Sequence, residues 1–333
     1  LVNVVSCMMF GAISGSAVAA TSAIGSFMLP EMKKAGYEPN FSAAVTAAAA
    51  TTGMLIPPSN ILIVYAIASG GVSIAALFMA GYIPGIMVGL ALMMVCYGYA
   101  KIKGYPLAPR LPLSVVFKKV LQAIPSLFLI ILVIGGIVGG IFTPTEAGAI
   151  AVVYALLLAV VFYKEVALNA LPGIMLKAAE TTAIVMLLIA ASTAMSWLLS
   201  FENIPQTLSN ALLTVSDNPL LILLLINLLL IVVGAFLDMT PAVLIFTPIF
   251  LPVAMQLGMS ELQFGIMLVL NLSIGLCSPP VGAVLFITCA IAKTKLENII
   301  KPLLPLYAAM FVVLMLITYV DWFSEALPRA LGF

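Results

Sequence analysis

The chain has 333 residues, of which 64% are hydrophobic and only 8% charged, with a mean hydropathy of +1.28. A soluble domain carries roughly 25% charged residues, so a surface covered by water is excluded. The net charge of +1 offers nothing to nucleic acid, and the lack of any histidine removes Ser-His and Cys-His catalysis, histidine metal ligands and histidine proton relays.

Taken in chain order, residues 1–32 form an apolar segment interrupted by Ser14, Gly15 and Ser16. The chain opens at Leu1, inside this stretch, with no start methionine and no signal peptide; a chain shortened at its N-terminus is expected. Residues 40–68 read as a span broken at Pro57-Pro58. Further spans are expected over 73–100, 119–141, 146–163 and 181–200, followed by a polar connector at 203–218. Residues 219–256 are apolar but break near Asp238 to Pro241. Residues 262–292 break at Pro279-Pro280, and 296–320 is the last span. No alternation of polarity suggests a β-barrel, so the fold is all-α. The cysteines, Cys7, Cys96, Cys277 and Cys289, sit singly in apolar stretches, without metal-ligand spacing.

Charge sets the orientation. With the chain after residue 32 in the cytoplasm, Lys33, Lys34, Lys101, Lys103, Arg110, Lys118, Lys119, Lys164, Lys177, Lys293, Lys295 and Lys301 all fall inside. Only Arg329 of the thirteen basic residues falls outside. That is the positive-inside bias. Glu202, Asp217, Glu261, Asp321 and Glu325 fall on the opposite side. Trp197, Trp322 and the tyrosines near span ends read as interfacial anchors.

The sequence also repeats. Pro30 and Pro57 are 27 residues apart, as are Pro252 and Pro279, and one offset of 222 maps Leu29, Pro30, Gly36, Gly53, Pro57 and Pro58 onto Leu251, Pro252, Gly258, Gly275, Pro279 and Pro280. It also places Ser16 on Asp238 and Thr51 on Ser273. Five spans separate equivalent points, and an odd number inverts the second copy. Matched Gly/Pro-interrupted helices in inverted repeats point to a secondary transporter and its binding site. Pro-Pro after glycine breaks a helix. The stranded backbone groups at membrane depth must then line a cavity or bind something. Freed carbonyls and hydroxyls suit a small cation; half-helix N-termini suit an anion. The plainer alternative is a pair of kinks.

One sodium site is expected at Ser14, Gly15, Ser16, Gly53 and Pro57, and a second at Leu237, Asp238, Thr240, Gly275, Ser278 and Pro279. Ser16, Thr51, Thr52, Ser59, Asn60, Asp238 and Val281 are the candidate substrate contacts, with Ser273 beside them. Competing readings stay open: small residues for close helix packing, Asp238 as a helix cap, and hydroxyls bonded to their own helix. Glu146 follows Pro144 at a span start, where an acid favours the helix dipole. An intramembrane aspartyl enzyme would need two carboxylates, and only Asp238 lies between apolar runs, so no enzyme is expected.

The stretches Gly11 to Ala19 and Met28 to Tyr37, Ile56-Pro-Pro-Ser59, Phe142 to Gly148 and Pro279-Pro-Val-Gly282 together closely resemble the large membrane subunit of tripartite ATP-independent periplasmic (TRAP) transporters. The resemblance covers essentially the whole chain. It implies an ion-transporter-superfamily fold, with two re-entrant hairpins, two broken helices and an elevator-type transport domain. Residues 1–102 and 201–333 would be the two repeats of that domain, and 103–200 a cytoplasmic loop with scaffold spans. It further implies sodium-coupled uptake of an organic acid, of sialic acid or C4-dicarboxylate type, with Na⁺ as coupling ion and no cofactor. The partners would be a small four-helix membrane subunit, a periplasmic substrate-binding protein and membrane lipid, in the inner membrane of a Gram-negative bacterium. A stand-alone ion-coupled anion transporter or antiporter of the same superfamily is the alternative.

Overall fold

A computed structural model describes residues 1–105, 112–204, 207, 218–279 and 281–333. Arg110, Asp217, Pro280 and most of the 203–218 connector, all invoked above, lie outside them. The chain divides into two compact units, residues 1–106 with 189–333, and residues 107–188.

The first unit begins with α1 (Val2–Ser14) and α2 (Ala17–Lys34), followed by α3 (Pro39–Ala50). A short 3-10 turn, Thr51–Met54, ends α3, and the chain then passes Pro57-Pro58 before α4 (Asn60–Ala68) and the long α5 (Ile74–Lys103). The second unit holds α6 (Leu113–Val138), α7 (Pro144–Leu156) and the start of α8 (Leu171–Phe201). From Ile189 the chain belongs to the first unit again, with α9 (Pro219–Phe236), α10 (Met239–Gln256), α11 (Glu261–Leu276), α12 (Ala283–Ala292), α13 (Leu296–Tyr319) and α14 (Trp322–Ala330). Among the described residues, seven helical stretches are long and apolar enough to cross a membrane: 74–103, 117–138, 144–162, 168–199, 219–236, 239–256 and 296–319. The protein is an all-α, multi-pass membrane protein.

The helix bounds recur at the spacing read from the prolines. Helices α2 and α10 are offset by 222 at both ends, α1 and α9 end 222 apart, α3 and α11 start 222 apart, and so do α5 and α13. Gly36 and Gly258 hold the same left-handed backbone after α2 and α10, with φ of 83° and 90°, where a side chain would be strained.

Helices α3 and α11 form the centre. Every residue of α3 from Phe41 to Ala50 is buried, and so is α11 from Gln263 to Leu276. The alanine run of α3 lets α1, α2, α5, α12 and α13 all pack on it. The packing is exchanged between the two stretches related by this offset: α4 lies against α10, and α12 lies against α2. Tyr65 of α4 completes one such exchange. Its ring occupies the space a side chain at Gly265 would need, and its hydroxyl donates to the Glu261 carbonyl at 2.7 Å. In α10, Pro248 cannot serve the Leu244 carbonyl one turn back. The Ser192 hydroxyl of α8 donates to it instead, at 2.5 Å.

Two buried amide clusters stitch hairpin to broken helix. Asn3 of α1 donates to Thr46 of α3 at 2.7 Å. Asn271 of α11 donates to Asn227 of α9 at 2.6 Å, and Asn227 donates to Thr318 of α13 at 3.1 Å.

In the second unit, α7 starts with a capping box. The Glu146 carboxylate accepts from the Thr143 N–H and hydroxyl at 2.8 and 2.9 Å, and the Glu146 N–H donates back to Thr143 at 3.3 Å. The structural reading of Glu146 thus has a specific geometry. Tyr154 of α7 donates to the Pro125 carbonyl of α6 at 2.8 Å. Past residue 320, where no further element was expected, the chain forms α14. This helix folds back on α5, with Glu325 buried and paired to Arg329. Trp322 stays exposed.

Candidate functional site

The first hairpin tip is built by a glycine. Gly15 takes the left-handed conformation, φ 59°, and its N–H closes α1 on the Gly11 carbonyl at 2.7 Å. Ser16 then starts α2 as its N-cap, its hydroxyl accepting from the Ala19 N–H at 3.3 Å. A Cβ on Gly15 would come within 3.1 Å of both the backbone nitrogen and Oδ1 of Asn60. The tip therefore rests on the N-terminus of α4. Below it, Gly11 lies directly on Gly53: a Cβ on Gly11 would sit 2.5 Å from the Gly53 Cα. The structure brings Ser14, Gly15, Ser16, Gly53, Ser59 and Asn60 to one place.

The break itself is closed by side chains that bond back to the chain. The hydroxyls of Thr51, Thr52 and Ser59 donate to the carbonyls of Ala48, Ala49 and Met54, at 2.8, 2.6 and 2.6 Å. All three residues are fully buried. Each hydroxyl has spent its proton and presents only lone pairs. Such a group can ligate a cation but cannot donate to an anion. Helix α5 supports the break from behind, where Gly81 meets the Leu55 carbonyl and Gly85 meets Ile56.

The second half repeats the crossing. A Cβ on Gly275 would sit 2.5 Å from the Gly234 Cα. After Leu276 the chain leaves the helix, and the Ser273 and Ser278 hydroxyls donate to the Val269 and Ile274 carbonyls at 2.7 and 2.9 Å. Neither half-helix N-terminus, Ser59 before α4 or Gly282 before α12, carries a side-chain cap.

The second hairpin tip differs from the first. Leu237 is extended, with φ −106°, and Asp238 holds the N-cap position of α10. Its carboxylate makes no capping bond and is exposed. Leu237, Pro279 and Val281 are also exposed, and Thr240 is half-buried. Among the described residues, no hydrogen bond joins Asp238 or Thr240 to Ser278 or Pro279. No cluster of three carboxylate or cysteine side chains poised for a metal ion is found among the described residues either.

The two breaks meet. The Cys277 thiol donates to the Ala47 carbonyl at 3.3 Å and lies beside Thr51. Sequence reasoning treated Cys277 as an isolated apolar residue, and it missed Asn227 and Asn271. Single amides inside otherwise apolar runs were the available signal for those two.

The DctM family, the DctM component of tripartite ATP-independent periplasmic transporters, matches residues 1–323. The chain belongs to this family. It is 50% identical over 326 residues to the uncharacterised protein YgiK of Salmonella typhimurium, covering 98% of the chain and 75% of that protein. It is 38% identical over 329 residues to the C4-dicarboxylate TRAP transporter large permease protein DctM of Pseudomonas aeruginosa, with 99% and 77% covered. With the sialic acid TRAP transporter large permease protein SiaM of Vibrio cholerae it shares 38% over 328 residues, with 98% and 77% covered. DctM proteins are transporter permeases, not enzymes.

Proposed function

We propose that this DctM-family chain is the translocating subunit of a sodium-driven importer of an organic acid, of sialic acid or C4-dicarboxylate type, in the bacterial inner membrane. The observation that carries the reading is the pair of breaks whose Thr51, Thr52, Ser59, Ser273 and Ser278 hydroxyls have spent their protons on backbone carbonyls. The lone pairs left on these hydroxyls are the donor set of a small hard cation. Ser14 to Ser16 with Gly53 and Pro57 would hold one Na⁺, and the second break with Leu237, Asp238 and Thr240 another. The uncapped N-termini of α4 and α12 supply positive partial charge for a carboxylate, near Ser16, Thr51, Thr52, Ser59, Asn60, Asp238 and Val281.

The offset of 222 supports two copies of one unit, residues 1–102 and 201–333. By the charge placement they are inverted, with α1–α2 and α9–α10 as re-entrant hairpins. Residues 103–200 would be the scaffold against which the rest moves as an elevator. A small membrane subunit and a periplasmic binding protein would complete the transporter, as the tripartite family description implies. The relatives named for C4-dicarboxylate and sialic acid support the substrate class.

The test is uptake of succinate and of N-acetylneuraminate by proteoliposomes holding the full-length membrane complex, with the binding protein outside. Uptake should follow the inward Na⁺ gradient and vanish when it is dissipated. Undiminished uptake without the gradient would sink the coupling.

A further inference from the structure

We propose that the Tyr307 hydroxyl is a substrate contact: it donates a hydrogen bond to a carboxylate oxygen of the transported acid at the second break. This rests on the organic-acid reading above and adds a residue and a side of the site to it. Tyr307 stands at the middle of α13, 11 residues from Leu296 and 12 from Tyr319. That is membrane depth, not the interfacial level at which tyrosines usually anchor. Its hydroxyl oxygen is buried and has no hydrogen-bond partner among the described residues. It lies beside Cys277 and within side-chain hydrogen-bonding range of Ser278, the first two residues of the break, but closes no well-formed bond to either. A buried phenol without a partner is costly, and a tyrosine in an apolar helix can lose it by a change to phenylalanine.

The neighbouring hydroxyls cannot do this work. Ser273 and Ser278 have given their protons to Val269 and Ile274. Cys277 has given its own to Ala47. Neither 51–59 nor 277–282 contains Lys or Arg. A carboxylate there needs donors, and the phenol is a donor that nothing in the fold has consumed. The two copies differ at this point. The 222 offset places Tyr307 on Gly85, and a Cβ at Gly85 would already collide with Ile56. At the first break Ile56 packs on Gly85 instead, and the Thr51, Thr52 and Ser59 hydroxyls keep only acceptors. The second faces a free O–H, which adds a side-chain donor for the anion on that side of the site.

Equilibrium binding of succinate and N-acetylneuraminate to the full-length membrane complex in saturating Na⁺ tests this with Tyr307→Phe, which keeps the ring and removes the donor. Affinity for the acid that binds should fall about tenfold, the worth of one hydrogen bond to a charged group. The thermal shift produced by Na⁺ alone should be unchanged. Unaltered acid affinity in the variant overturns the role of Tyr307 and leaves the organic-acid reading standing. Loss of the Na⁺ shift also overturns it, since the residue would then act on the ion or the fold. If neither acid binds the wild-type complex, the organic-acid reading fails and Tyr307 fails with it.

Discussion

Gly11 and Gly53 touch backbone to backbone, in α1 and in the turn that ends α3, and 222 residues after Gly53 the same crossing recurs between Gly275 and Gly234. Each crossing locks a hairpin helix to the helix just before it breaks. No side chain fits at any of these contacts, so the hairpin tips are held at the breaks by backbone shape rather than by a specific bond.

Gly53→Ala and Gly275→Ala should each destabilise the protein. Alanine favours a helix over glycine by up to about 1 kcal/mol, but overpacking costs roughly 1–3 kcal/mol, and here the obstacle is backbone that cannot rotate away. Thermal unfolding in detergent should show a lower midpoint for both, and uptake should fall more than the amount of folded protein does. Gly98→Ala, where nothing lies within 4 Å, is the control and should be neutral or mildly stabilising.

Thr51 separates ion binding from packing. Thr51→Val keeps the shape but removes the lone pairs, so the half-saturating Na⁺ concentration for uptake should rise severalfold. Thr51→Ser should restore it. An unchanged sodium dependence in the valine variant would remove Thr51 from the site.

Asn227 and Asn271 should couple. Removing either amide strands its buried partner, a cost of about 1–3 kcal/mol. The double variant, with both changed to alanine, should lose less stability than the two single losses added together. Additive losses in chemical denaturation would mean the pair is not one unit.

The Thr143–Glu146 capping box should matter only for stability. Thr143→Ala should cost about 1 kcal/mol, visible as a lower unfolding midpoint. The sodium dependence of uptake should stay as in the wild type. A shifted sodium dependence would give Glu146 a functional role that its capping bonds do not suggest.

Residues that dictate backbone shape made the sequence legible. Proline cannot donate, glycine turns through positive φ without strain, and a lysine does not sit in hydrocarbon. For that reason Pro57, Gly36 and their partners at 222 marked the helix ends, and composition with charge placement announced an all-α membrane chain. Contacts between distant segments were not legible, because an apolar helix with mean hydropathy all round does not say which face meets which neighbour. Gly11 had no visible reason to face Gly53, nor Cys277 to reach Ala47, nor α14 to fold back on α5. The tertiary structure decided those, and with them the two facts on which the site turns. The hydroxyls of Thr51, Thr52, Ser59, Ser273 and Ser278 are spent on their own backbone, and that of Tyr307 is not.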